Sequence, residues 1–221
     1  MVLRRDVSIN RRRVLGRAVA GLVGLSAGLV VPARAGKRLI ATPRQARGPF
    51  YPVQWRGDID NDLVRVSGEA AQALGQVVHI EGTVFDTAGK ALANTVIEIW
   101  QVDANGIYLH PADNRGSRRT DPRFQGRGRT RTDRDGRYSF RTIRPVAYPG
   151  RTPHIHFRVA APKRRQLTTQ MYIDGEPQNA RDGLLNSIRN PVQRAALIVK
   201  LEPIDHIERG ALRGVFDIVL G

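Results

Sequence analysis

The sequence predicts a mainly β protein, a sandwich of antiparallel strands with long loops and little helix. Apolar and β-branched residues fall in short runs, turn signals separate those runs, and turn formers are abundant, with 22 Gly and 13 Pro among 221 residues. A hydrophobic content of 41% is enough for a true core. No internal repeat and no clear second domain break the pattern.

The elements follow in order. Val77 to Phe85 alternates around Gly82 and ends in the turn Asp86-Thr87-Ala88-Gly89-Lys90. Thr95 to Gln101 is β-branched and aromatic and leads to the turn Asp103-Ala104-Asn105-Gly106. Arg115 to Arg129 reads as a long excursion, of the kind that in a compact domain is usually functional or disordered. Thr130 to Asp133 approaches the turn Asp133-Arg134-Asp135-Gly136, and Arg137 to Ile143 alternates again. Pro153 to Ala160, Leu167 to Ile173, Ala195 to Leu201 and Gly214 to Leu220 complete about eight strands. One short helix is expected over Gly183 to Arg189.

Ahead of the strands, residues 1–35 read as a signal peptide. Arg11-Arg12-Arg13 precedes a 14-residue apolar stretch, Ala18 to Val31, and Ala33-Arg34-Ala35 offers small residues for cleavage. Fourteen residues are too few for a bilayer core of ~30 Å, so stable membrane insertion is not expected. The paired arginines and glycine-rich apolar stretch match twin-arginine export, which places the remaining 186 residues in the periplasm or outside the cell. Residues 36–62, with Pro43, Pro49 and Pro52, form an extended leader, and 63–221 the sandwich domain.

The chain carries a formal charge of +16, and the stretch after Ala35 keeps +10 of it. The arginines between Arg115 and Arg144 lie among Asp, Gly and Thr and carry no nucleic-acid motif, so no nucleic-acid partner is expected. Attraction of small anions fits better. With no cysteine, disulfides and thiolate metal sites are excluded.

The most informative stretch is His154-Ile155-His156-Phe157-Arg158. On a strand, residues two apart share a face, so His154 and His156 present two imidazoles side by side, half of a metal site. No acid follows in Phe157 to Pro162, so a two-histidine, one-carboxylate site lacks its third ligand. His79 and His206 read as ordinary strand and loop residues, and His110 is the one histidine available as a third donor. Tyrosine is more prominent: Tyr148 lies six residues before His154, and Tyr108 follows the Asn105-Gly106 turn. Either alone reads more readily as a strand-end or turn aromatic. Together with the histidines they offer two hard phenolate oxygens and two nitrogens, a set that suits Fe(III) better than Fe(II) or Zn(II).

The chain resembles the intradiol ring-cleavage dioxygenases, the family of protocatechuate 3,4-dioxygenase and catechol 1,2-dioxygenase. The residues that carry the resemblance are Gly82-Thr83-Val84, Val96-Ile97-Glu98-Ile99-Trp100-Gln101, Asp103-Ala104-Asn105-Gly106-Ile107-Tyr108, Phe124-Gln125-Gly126-Arg127-Gly128, Gly136 to Ile143 and Arg151-Thr152-Pro153-His154-Ile155-His156-Phe157. The leader segments Thr42-Pro43-Arg44-Gln45 and Gly48-Pro49-Phe50-Tyr51-Pro52 resemble the family's entry segment, and the likeness spans roughly residues 40 to 175.

This resemblance implies a transthyretin-like sandwich and non-haem Fe(III) bound by Tyr108, Tyr148, His154 and His156. It implies that Tyr148 is displaced by a catechol and takes a substrate proton, while Tyr108 stays bound. Arg151 matches an arginine that stabilises negative charge on the substrate, and Gln170 a glutamine near the same site. The implied reaction is cleavage of a catecholic ring by O2 to a cis,cis-muconate-type product, with a protocatechuate-like substrate favoured by the arginine excess. A small-molecule catechol and O2 are the expected partners, and assembly as a homo-oligomer is left open. A non-catalytic transthyretin-like protein that binds catechols or iron is the alternative. Two features depart from the family pattern. The connection from Tyr148 to His154 is short, and Gly150 replaces an aromatic that often follows two residues after this tyrosine.

Overall fold

The computed structural model describes residues 38–113 and 119–221, all within one compact unit. The export segment expected over residues 1–35 lies outside the described residues. Among the described residues, no helix is long and apolar enough to cross a membrane.

Two five-stranded sheets make the sandwich. In the first, β1 (Val77–Asp86) pairs antiparallel with β4 (Arg137–Ile143) along one edge. Its other edge takes β9 (Leu212–Val215) and then β10 (Ile218–Leu220), both parallel, and β8 (Glu202–Pro203) pairs with β9. The second sheet runs β3 (Arg127–Arg131), β2 (Val96–Trp100), β5 (His154–Ala160), β6 (Leu167–Ile173) and β7 (Ile198–Val199). Strand alternation builds the core. Val78, Ile80 and Phe140 meet Ile97, Ile99, Ile155, Phe157 and Met171 in one buried cluster. Phe157 stands between Tyr138 and Phe216, with ring centroids 6.3 and 5.0 Å away.

Several expectations are met closely, and others are corrected. The strands over Arg137–Ile143 and Leu167–Ile173 have the expected bounds. The excursion expected to run through Arg129 ends earlier, because Arg127–Arg131 already pairs with β2. The segment read as one strand over Gly214 to Leu220 is broken at Phe216 and Asp217, where the chain steps along the same edge of β1 from β9 to β10. Gly82 is required there: a Cβ at this position would lie 2.1 Å from the Phe216 carbonyl oxygen.

The helix expected over Gly183 to Arg189 is shorter, α1 (Gly183–Asn186), capped by Asp182, whose side chain accepts from the Leu184 and Leu185 amides. A 3-10 turn (Pro177–Arg181) precedes it. The strand expected from Ala195 is preceded by a second helix, α2 (Pro191–Ala195), with Asn190 as cap and Pro191 in the first turn, so only Ile198–Val199 pairs.

Candidate metal centre

The second sheet places the site on its outer face. In β5, Ile155, Phe157 and Val159 point into the core, so His154 and His156 point away from it. Registration fixes their neighbours: His156 lies opposite Trp100 on one side and Gln170 on the other, and His154 opposite Tyr172. Trp100 stacks on His156, centroids 4.8 Å apart and planes within 8°. The leader covers this face. Gln45 donates to the Tyr172 hydroxyl, Gln170 donates to the Ala46 carbonyl, and Gly48 lies against the His156 ring. Both histidines are thereby buried.

Tyr108 enters from the loop after β2. Asp103 shapes that loop, its carboxylate accepting from the Asn105 and Ile107 amides. Phe50 of the leader stacks on the Tyr108 ring at 4.7 Å, and Tyr108 is buried. Tyr148 enters from the opposite side on a tight turn. Arg151 N donates to the Tyr148 carbonyl at 2.9 Å, with Pro149 second and Gly150, at φ +79°, third. That is a type II turn, which needs a residue tolerant of positive φ at its third position. The short connection is thus a defined turn, and it places Tyr148 and Arg151 side by side.

The four donor atoms converge. Tyr108 Oη lies 3.0 Å from His156 Nε2, 3.4 Å from His154 Nε2 and 3.5 Å from Tyr148 Oη. Tyr148 Oη is 3.4 Å from His154 Nε2, and the two Nε2 atoms are 3.2 Å apart. Separations of 3.4 and 3.5 Å are long for O–H···N or O–H···O hydrogen bonds. Ligands about 2.1 Å from a shared ion stand about 3.0–3.4 Å from one another, so the observed spacing is that of a common centre. His154 Nδ1 donates to the Thr152 carbonyl at 2.6 Å, which fixes the tautomer and turns the bare Nε2 lone pair inward. Burial, with Arg151 nearby, lowers the His154 pKa to about 4; burial, His154 and Arg151 push His156 well below the usual value. Both imidazoles are therefore neutral near pH 7, as metal ligands must be. The residues present fit a ferric ion.

Arg151 lies beside this centre, its Nη1 3.5 Å from Tyr148 Oη. Its Nε donates to the buried Asp182 carboxylate at 2.8 Å, and Nη2 donates to Gln170 Oε1. Burial opposes the Arg151 charge, but the Asp182 hydrogen bond and the nearby oxygens outweigh it and raise its pKa. Gln170 is fully buried and also donates to the Ala46 carbonyl, so it ties Arg151 to the leader. A cavity of 570 Å³ opens next to Tyr148, bounded by Gly150, Arg151, Gln178, Arg181 and Asp182.

The remaining histidines stay apart. His79 pairs with Glu208 on the first sheet, and His206 is exposed between β8 and β9. His110, the histidine available as a third donor, instead accepts from the Ala112 amide and packs edge-on against Phe50. Among the described residues no three His, Cys, Asp or Glu side chains cluster, so the centre depends on its tyrosines. Sequence reading missed Asp182, Tyr172 and Trp100 as site neighbours. Tyr172 and Trp100 follow from strand register against β5, whereas Asp182 meets Arg151 from 31 residues away with no local signal.

A sandwich with two phenols and two imidazoles converging on its outer face defines a class, and comparison with known proteins agrees. The dioxygenase family model matches residues 46–221. The chain is 37% identical over 186 residues to the protocatechuate 3,4-dioxygenase beta chain of Burkholderia cepacia, a match covering 80% of this chain and 78% of the relative. It is 33% identical over 180 residues to catechol 1,2-dioxygenase 2 of Acinetobacter lwoffii, covering 70% of this chain and 62% of that one. Among solved structures, the dioxygenase domain of a dioxygenase–carbohydrate-binding fusion from Streptomyces sp. SirexAA-E superposes with a TM-score of 0.61 at 32% identity, covering 82% of this chain and 98% of that one. The chain belongs to the intradiol ring-cleaving dioxygenase family.

Proposed function

We propose that this protein holds Fe(III) through Tyr108, Tyr148, His154 and His156 and cleaves a catecholic ring with O2 to a cis,cis-muconate-type product. The observation that carries this reading is the convergence of two phenol oxygens and two neutral imidazole nitrogens, with Tyr108 Oη and His154 Nε2 each within 3.0–3.5 Å of the other three. Bound ferric iron would supply a Lewis acid that favours the deprotonated catecholate and activates its ring toward O2.

The chain's own residues divide the remaining work. Tyr108, buried beneath Phe50, is the ligand that stays. Tyr148 is half-buried and borders the cavity, so it would be the donor free to move aside, and its oxygen would take a proton from the incoming catechol hydroxyl. Arg151, aimed by Asp182 and Gln170, stabilises the negative charge that develops on the substrate oxygen. The leader excludes water over His156 and Gln170.

A carboxylated, protocatechuate-like catechol is the favoured substrate, supported by the basic balance of the chain and by its likeness to a protocatechuate 3,4-dioxygenase chain. Export through a twin-arginine route to the periplasm or beyond is part of the same reading. A fusion of residues 1–35 to a reporter that is active only after export tests it, and a reporter retained in the cytoplasm refutes it. For the chemistry, iron loading should produce a red-brown visible band from phenolate-to-iron charge transfer, and the loaded protein should consume O2 with catechol, protocatechuate or hydroxyquinol. A coloured protein that consumes none would leave only the binding role.

A further inference from the structure

We propose that the cleft beside Tyr148 is a subsite for an extended side chain on the catechol ring, and that Arg181 at its rim takes a carboxylate at the end of that side chain. The inference rests on the ferric dioxygenase reading and adds the substrate class. Three observations meet at this place.

The cleft is contiguous with the reaction centre, because Tyr148 and Arg151 form part of its wall. Its 570 Å³ is an open cleft outward of Tyr148, with room for a substituent beyond a ring held at the four donors.

The cleft is open because of a backbone requirement. Gly150 stands at φ +79°, in the left-handed position of the turn that joins Tyr148 to Arg151. A Cβ built there meets nothing within 4 Å. The turn that sets phenol beside guanidinium therefore also removes any side chain that could wall off this side of the centre.

Charge at the cleft is uneven. Arg151 is already paired with Asp182, so its guanidinium is committed toward Tyr148. Arg181, on the last residue of the 3-10 turn, is exposed, lines the cleft and makes no ion pair with any carboxylate of the described residues. An anionic group reaching the rim would find this cation unclaimed. The chemistry points to a catechol bearing a short unsaturated or saturated acid chain, such as 3,4-dihydroxycinnamate.

Oxygen uptake by the iron-loaded full chain tests this, with catechol, 3,4-dihydroxybenzoate, 3,4-dihydroxycinnamate and its neutral methyl ester as substrates. The subsite predicts kcat/KM for the cinnamate at or above that for catechol. Arg181→Ala should lower the ratio of kcat/KM for cinnamate over ester about fivefold, the worth of a partly exposed ion pair. Gln178→Trp, at an exposed position on the cleft, should lower kcat/KM for cinnamate relative to catechol. A steady fall in kcat/KM from catechol to cinnamate, or an Arg181→Ala effect equal on acid and ester, would overturn the subsite and leave the dioxygenase reading intact. Absence of both oxygen uptake and any change of the visible band with every catechol would overturn both.

Discussion

Replacing Arg151 by Gln separates the two jobs this residue performs. Its side chain is 15% exposed and that of Asp182 0%, so the substitution strands a fully buried carboxylate. Breaking a buried pair from one side costs about 3–5 kcal/mol. Asp182 keeps three amide donors, from Thr152, Leu184 and Leu185, so the low end, about 3 kcal/mol, applies here. The second job is electrostatic, a fixed cation 3.5 Å from the Tyr148 oxygen, and removing such a donor lowers kcat about 10²–10³-fold. The double variant Arg151→Gln with Asp182→Asn removes the stranded charge while Asn still caps α1. Urea unfolding should therefore show the single variant destabilised by about 3 kcal/mol and the double within about 1 kcal/mol of the parent. Oxygen uptake should remain depressed in both. A double variant that regains activity along with stability would refute the electrostatic role, and a single variant of unchanged stability would refute the buried-pair reasoning.

Tyr108→Phe keeps the ring under Phe50 and removes the oxygen, so the visible band of the iron-loaded protein should shift or bleach; an unchanged spectrum would remove Tyr108 from the ligand set. Phe157→Ala, between Tyr138 and Phe216 in the closed core, should cost about 3–5 kcal/mol in urea unfolding, and less than 1 kcal/mol would show that the core collapses around it. Hydrogen bonding from Arg141, then from His79, holds the Glu208 carboxyl at about 2. A depressed carboxylate stabilises the fold fully above its unfolded value near 4.5 and loses that contribution as pH falls toward 2. After allowance for partial exposure, this is about 2 kcal/mol. The urea midpoint of Glu208→Gln should accordingly fall less than that of the parent between pH 6 and pH 3, and equal falls would show that the carboxylate is not linked to folding.

The sequence made the sandwich and the centre legible where the controlling signal was local. Period-two alternation marked β4 to the residue, β6 reads with the same bounds, and the two-residue spacing of His154 and His156 placed both on one face because strand geometry allows nothing else. The Pro149-Gly150 reversal that sets Tyr148 against Arg151 reads only as a short connection lacking an aromatic. What was illegible depended on partners distant in sequence. Asp182 looks like a helix cap, and it is one, but its other oxygen holds Arg151 across 31 residues. The apolar run after Gly214 looks continuous, yet the edge of β1 it joins is divided between two strands. Asn190-Pro191 is a readable helix start that the β-branched and aliphatic residues following it obscured.

Diffraction from iron-loaded crystals at the iron absorption edge tests the central claim most directly. One anomalous peak is predicted, within about 2.0–2.2 Å of Tyr108 Oη, Tyr148 Oη, His154 Nε2 and His156 Nε2 together. A peak elsewhere, or one that leaves either tyrosine oxygen beyond bonding distance, would contradict it.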